Sequence, residues 1–271
     1  MLGALDWDRY WRFERFRRRC DPLDFRRWKR DSQRALKGLY PGRPRLCDAT
    51  AGLGDHTVNL AEEGFEVEAC DTSPVAREAT RAALAEAGLD VPVHDVEWAR
   101  LGEGGPRYDL VFNDAVHWVY DEAPLRAALT GMLAALRPGG ALVYFFADAS
   151  EPDADAGRRI LEWDAAHLEP ARIAWEHERD GTRVGLTLVA SRGDDFIDEH
   201  HLYHVREGGG PTRLETLTMR RVYRWDHFHL APILTDVGFV ELRTDHFDNV
   251  KGHRFAMNRA FKPRSARGRS S

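Results

Sequence analysis

Apolar and polar positions divide the chain into three zones. In residues 1–43 aromatic side chains recur at spacings of three and four: Trp7, Tyr10, Trp11, Phe13, Phe16, Phe25 and Trp28. That period belongs to amphipathic helices. Asp21-Pro22 breaks the pattern into two, and Gly38 to Pro44 reads as a turn.

The second zone alternates short apolar runs with helical patterns. Arg45-Leu46-Cys47 leads a strand into a glycine-rich loop, and a helix from His56 to Glu63 stops at Gly64. A strand from Phe65 to Cys70 ends at Asp71. Ser73 is a fitting N-cap and Pro74 a fitting first residue for a helix running to Ala87. Strands follow at Val91–Val93 and Tyr108–Phe112. A helix from Ala123 to Leu136 is closed by the turn Arg137-Pro138-Gly139-Gly140, and a fifth strand covers Ala141–Phe146. Strands alternating with helices of this length predict a parallel, doubly wound sheet.

The third zone changes period. After a helix near Asp153–His167 come four strand-like stretches without helices: Ala171–Glu178, Arg183–Ser191, Asp198–Arg206 and Thr212–Tyr223. Asp180-Gly181 and Gly208-Gly209-Gly210 read as hairpin turns. This predicts an antiparallel sheet inserted after the fifth strand. A helix from Asp226 to Val237 and strands at Phe239–Phe247 and His253–Phe261 then complete the main sheet.

Composition narrows the class. The 271 residues are 43% hydrophobic and 31% charged, with a formal net charge of -5. A sizeable core can form, and no overall basic excess draws the chain to nucleic acid. The arginines between Arg9 and Arg34 are interleaved with acids and aromatics, which favours a helical surface over a nucleic-acid stripe. Arg17-Arg18-Arg19 is an alternative grip for a carboxylate. No apolar run spans a membrane, and Met1–Arg19 lacks the apolar stretch of a secretory signal. Three cysteines, Cys20, Cys47 and Cys70, without close pairing predict a reducing, cytoplasmic setting, with Cys47 and Cys70 as buried packing residues. The late histidines, His200 to His204 among them, show no ligand spacing, so no metal is expected.

The chemistry concentrates at the ends of the second zone's strands. Asp48-Ala49-Thr50-Ala51-Gly52-Leu53-Gly54 places an acid at a strand end and two glycines in a sharp turn. Glycine permits positive φ and close backbone approach to a ligand. The acid suits a cationic ammonium or sulfonium and repels the pyrophosphate of a dinucleotide. Asp71, followed by Thr72, ends the second strand, where an acid accepts the hydroxyls of a ribose. Asp95, Glu97 and Trp98 follow the third strand and combine acceptors with a flat apolar face for a purine. Asn113, Asp114 and His117 follow the fourth. Tyr10, Trp11 and Trp118 are candidates for cation–π contact with a sulfonium or methylated ammonium.

These residues, in this order and with the Asp109 strand and the Leu136–Gly140 turn, resemble the class I S-adenosylmethionine-dependent methyltransferases over residues 40 to 150. The inserted sheet and Val96-Glu97-Trp98 are similar to the glycine and sarcosine N-methyltransferase branch. The resemblance implies an α/β fold: a Rossmann-like seven-stranded sheet with a helical N-terminal lid (1–43), a cofactor-binding core (44–150), a helix and antiparallel sheet as substrate cap (151–225), a closing helix and two strands (226–262) and a disordered tail (263–271). It implies that Gly52 and Gly54 approach the methionine part of the cofactor, that Asp71 holds its ribose and that Glu97 and Trp98 lie near adenine. Asp48, Ala49, Thr72, Asp95, Asn113, Tyr10 and Trp11 join them in the expected cofactor site. Asp114 and His117 fall where the family places its acceptor and are the expected catalytic residues. Two positions depart from the pattern: Leu53 replaces a small polar residue, and Asp114 stands where the branch carries serine.

The expected activity is methylation of a small molecule, with an amine favoured. O- or C-methylation of a small metabolite is the alternative. The loop after the fourth strand lacks the Pro-Pro-aromatic run of base amino methyltransferases, which weighs against nucleic acid. The glycine spacing weighs against a nicotinamide oxidoreductase. A non-catalytic relative on the same fold and a homo-oligomer are left open.

Overall fold

The computed structural model describes residues 6–21, 25–145, 156–167, 171–223, 227–248 and 254–264. They fall into two compact units. The larger holds β1 (Arg45–Asp48), β2 (Glu66–Cys70), β3 (Val93–His94), β4 (Tyr108–Asn113), β5 (Leu136–Tyr144), β10 (Val240–Asp248) and β11 (Arg254–Phe261), with helices α2 (Phe25–Leu39), α3 (Asp55–Glu62), α4 (Pro74–Glu86), α5 (Glu122–Ala135) and α7 (His227–Val237). The smaller holds α1 (Trp7–Cys20), α6 (Ala156–His167) and strands β6 (Ala171–Arg179), β7 (Thr182–Arg192), β8 (Phe196–Glu207) and β9 (Arg213–Val222).

The larger unit is an α/β sheet of seven strands in the order β10-β11-β5-β4-β1-β2-β3. β1 to β5 run parallel, while β11 pairs antiparallel with β5 and with β10. Leu46, Leu110, Phe112, Ala141 and Val143 fill the buried strand positions and pack with Leu36 of α2 and Leu60 of α3. The order reverses between β1 and β4, one strand going left and the other right. The crevice outside the carboxyl ends of strands at such a reversal is where α/β sheets bind ligands. Every expected site residue after position 44 lies at those ends, on the last residue of a strand or in the segment that follows it.

Local signals explain most boundaries. Ser73 accepts a hydrogen bond from the Ala76 amide (3.1 Å) and Pro74 opens α4. Asp180 and Gly181 both have positive φ and turn β6 into β7, as a two-residue hairpin with right-handed strand twist requires. One boundary differs. The Arg137–Gly140 turn is a bulge within β5, not a stop before it. Tyr108 pairs with Leu136 and Leu110 with Ala141, so the extra residues leave the ladder while pairing continues on both sides. Lys262, just past β11, donates to the carbonyls of Leu133 (2.9 Å) and Leu136 (2.7 Å) and caps the end of α5.

The smaller unit is the expected antiparallel meander, β6-β7-β8-β9. The segment 1–43, expected as one helical lid, is divided between the units. On α1, Phe13 is buried and stacks on Tyr203 of β8 with ring centroids 3.8 Å apart. On α2, Leu36 is buried in the main core. Phe146, the residues Asp153 to Asp155, Asp226, His253 and the tail from position 265 lie outside the described residues. No described helix is long and apolar enough to cross a membrane.

Candidate functional site

The loop after β1 is shaped from within. Asp48 is fully buried at the strand end. Its Oδ1 accepts from the Thr50 amide (3.0 Å) and its Oδ2 from the Thr57 hydroxyl (2.7 Å). Asp48, the acid expected to suit a cationic ligand, thus braces the loop through Thr50 and Thr57. Gly52 and Gly54 have φ of +52° and +89°, a region only glycine enters freely. A Cβ on Gly54 would also meet Thr80 Cα at 3.1 Å and Ala83 Cβ at 3.2 Å, so α4 presses directly on the turn. The Thr80 hydroxyl donates to the Gly52 carbonyl (3.0 Å). Ala49 is buried, its amide bonded to the Phe112 carbonyl of β4 (2.9 Å).

Asp71 ties two loops together. One carboxylate oxygen accepts from the Ser73 amide (2.9 Å) and the other from the Gly52 amide (3.0 Å). It remains partly exposed. Burial pushes its carboxyl up from the ordinary range, while these two amides and Arg77 pull it down. Each oxygen keeps a second lone pair for a ligand hydroxyl. Thr72 is exposed, and its carbonyl accepts from Arg77 (2.8 Å). Arg77 also pairs with Asp95 (3.0 Å).

Trp98 opens a 3₁₀ turn, Trp98–Arg100, with exposed Glu97 just before it. Its Nε1 donates to the Ala49 carbonyl (2.5 Å), which fixes the indole against the loop. Gly131 of α5 makes room for this turn: a Cβ there would stand 2.1 Å from the Trp98 carbonyl oxygen. Trp98→Phe keeps the flat face but loses the hydrogen bond. Chemical denaturation is expected to register a loss of about 1–2 kcal/mol, the worth of one bond plus an unpaired carbonyl; unchanged stability would show that the bond does not hold the indole.

After β4 the residues separate in role. Asn113 is fully buried; its Oδ1 accepts from the Ala115 amide (2.8 Å) and its Nδ2 lies 4.0 Å from Met132 Sδ. The side chain, expected at the cofactor, braces the turn after β4. Asp114 is about a third exposed, with its Oδ2 3.0 Å from His56 Nε2 and its amide donating to the Thr50 hydroxyl (3.2 Å). His117 lies in the 3₁₀ turn Val116–Trp118, and its side chain lies outside the described residues. Tyr10 and Trp11 sit on α1 in the smaller unit. There Tyr10 packs edge-on to Trp11 at 4.8 Å and near His201 at 6.2 Å, and burial pushes its hydroxyl up.

Sequence reading missed Thr50, Thr57, Gln33 and His56. His56, a polar side chain directly after the glycine turn in the first turn of α3, was the one legible signal. Gln33 offers none, because it reaches the site only through the packing of α2 on α3. Cys47 and Cys70 are buried with sulfurs 3.9 Å apart; contact between the thiols and burial push Cys47 up. His200 and His204 share the face of β8 opposite to buried His201. Among the described residues no group of three or more metal-ligating side chains comes together.

Residues 46–140 match the family described as a methyltransferase domain. Ribosomal RNA small subunit methyltransferase J of Laribacter hongkongensis is 33% identical over 118 residues, 44% of this chain and 33% of that protein. The chain thus spans only a third of this curated relative. Two solved structures share the fold at full length. A sugar N-methyltransferase from Streptoalloteichus has a TM-score of 0.66 at 20% identity, covering 93% of this chain and 92% of that one. An amino pentose methyltransferase from Micromonospora echinaspora, solved with S-adenosylmethionine bound, has a TM-score of 0.62 at 17% identity, covering 95% and 98%. The chain is thus similar to S-adenosylmethionine-dependent methyltransferases, in sequence over residues 46–140 and in fold over nearly its whole length.

Proposed function

We propose that the protein uses S-adenosylmethionine to N-methylate a small-molecule amine, with amino sugars ahead of glycine or sarcosine as acceptors. The observation that carries this is the convergence at the sheet's reversal point of a ligand-shaped glycine turn, a part-exposed Asp71 carboxylate and a second part-exposed carboxylate, Asp114. The full-length likeness in fold to a sugar N-methyltransferase and an amino pentose methyltransferase supports the acceptor class.

The turn at Gly52 and Gly54 would take the methionine part, Asp71 the ribose hydroxyls, and Trp98 with Asp95 or Glu97 the adenine. When bound, the cofactor supplies an electrophilic methyl group on a sulfonium. The protein's own share is alignment and proton handling. Asp114 attracts an ammonium and accepts its proton: the N–H bond breaks with its electron pair left on nitrogen, an O–H bond forms on the carboxylate, and the proton then passes to solvent. His117 and the aromatic residues Tyr10 and Trp11 remain candidates for contact with the acceptor or cofactor.

Incubation with S-adenosylmethionine and a panel of amino sugars, glycine, sarcosine and RNA tests this directly. Mass spectrometry should show a gain of one or more methyl groups on an amino sugar. Methylation confined to RNA, as the ribosomal RNA relative raises, would overturn the acceptor class. Asp114→Asn is expected to lower kcat by about 100-fold, the lower end for a general base, with cofactor affinity unchanged by calorimetry. Full activity in that variant would remove Asp114 from the mechanism.

A further inference from the structure

We propose that Gln33 and His56 are positioning residues for Asp114, joined in a buried relay that selects one tautomer of the imidazole. This rests on the reading of Asp114 as the group that meets the acceptor. His56 is 6% exposed in the first turn of α3, and both ring nitrogens are engaged: Nδ1 lies 2.6 Å from Gln33 Nε2 and Nε2 lies 3.0 Å from Asp114 Oδ2. A carboxamide nitrogen can only donate. Nδ1 therefore presents its lone pair, the ring proton sits on Nε2, and Nε2 donates to Asp114.

The direction of the Gln33 amide is itself determined. Its Oε1 accepts from Asn59 Nδ2 at 3.5 Å. Asn59 is oriented in turn by Arg26, donating through Nδ2 to the Arg26 carbonyl (3.0 Å) and accepting at Oδ1 from Arg26 Nε (3.2 Å). Gln33 and Asn59 are both fully buried. Polar side chains in such a place are tolerated when their hydrogen bonds are made, and here each bond sets the sense of the next. The ring plane is held against Phe112, with centroids 4.9 Å apart.

The outcome at Asp114 is chemical. A neutral imidazole orients the carboxylate through one charge-assisted hydrogen bond without adding a positive charge beside it. An imidazolium in the same place would neutralise the negative charge that a cationic acceptor needs. The relay thus holds Asp114 in place while leaving its charge to the substrate. Gln33 and His56 act on the acceptor through the position of Asp114.

Long-range ¹H–¹⁵N spectra of protein labelled at histidine nitrogens read the tautomer, with His56→Gln identifying the signal. The expected result is protonated Nε2 and unprotonated Nδ1 at neutral pH. Gln33→Leu leaves Nδ1 without its donor while the Asp114 carboxylate still requires Nε2–H, so the ring should accept a second proton more readily and kcat should fall about tenfold as the charge of Asp114 is neutralised, with cofactor affinity unchanged. Gln33→Glu demands an Nδ1–H and should drive His56 to the doubly protonated form, changing the pH profile of kcat/KM; a merely structural glutamine would tolerate this near-isosteric change. His56→Gln, which keeps an N–H donor, should retain more activity than His56→Ala. A wild-type ring protonated on Nδ1, or Gln33 variants with unaltered kcat and pH profile, would overturn the relay. Calorimetry of wild type with S-adenosylmethionine separates the two claims, since absence of binding overturns the cofactor reading and leaves the tautomer result standing.

Discussion

Asp71→Ala is expected to weaken S-adenosylmethionine binding by about 100-fold, the loss of two hydrogen bonds from hydroxyls to a carboxylate. The same change frees the Gly52 amide, which Asp71 holds at 3.0 Å, so the glycine turn loosens together with the ribose contact. Calorimetry measures the affinity, and the cofactor-induced rise in Tm should largely disappear. A variant that binds the cofactor normally would refute the ribose assignment.

The direction of the Asp71 shift adds a pH test. Burial raises its carboxyl in the folded protein above the ordinary value of 3.8. The folded state then holds its proton more tightly than the unfolded chain. The associated stability is fully present below the unfolded pKa and is lost as pH rises through the raised folded pKa. Ligand hydroxyls favour the ionised form, so cofactor affinity should run the opposite way, rising as pH rises through the same window. Binding below the folded pKa should release a proton, detectable as a dependence of the calorimetric heat on buffer ionisation enthalpy. No such dependence would place another group at the ribose.

Gly131→Ala is expected to destabilise the protein by about 3 kcal/mol, the upper range for overpacking. The sign is diagnostic. In a helix interior, exchanging glycine for alanine normally stabilises by about 1 kcal/mol. Here the new Cβ would meet the Trp98 carbonyl oxygen at 2.1 Å and the Ala99 carbonyl at 2.6 Å, and backbone cannot move aside as a flexible side chain can. The 3₁₀ turn must shift, and with it the indole that donates to the Ala49 carbonyl. Denaturant titration measures the stability, and in variant that folds, cofactor affinity should also fall. Gly209→Ala is the control: a Cβ there meets nothing within 4 Å. Equal stability of the two variants would show that α5 and the turn do not meet so closely.

How far the sequence could be read follows the range of the forces involved. Gly52 and Gly54 were legible because positive φ is a property of the residue itself. Ser73-Pro74 and Asp180-Gly181 were legible because capping and hairpin turns are set within a few residues. The alternation of strands and helices, and the switch to strands alone after Ala171, gave the two sheets. The Arg137–Gly140 bulge was read as a stop, since a proline and two glycines look alike in either role until the partner strand is known.

The roles of the carboxylates were less legible. Asp48, Asp71 and Asp114 all stand at carboxyl ends of strands, and spacing alone treats them alike. Their surroundings separate them: Asp48 is enclosed by Thr50 and Thr57, Asp71 bridges Ser73 and Gly52, and Asp114 stays part-exposed beside His56. Asn113 braces its turn in the same way.

The sequence by itself determined the fold class, the positions of the turns and the loops on which the chemistry gathers, because period, glycine freedom and capping act over short stretches of chain. Only the tertiary structure decided which loop residues turn inward, that α1 and α2 belong to different units, and that Gln33 meets His56. Those outcomes depend on which buried hydrogen-bonding partner and which apolar surface each side chain finds across the fold, at separations that no local pattern encodes.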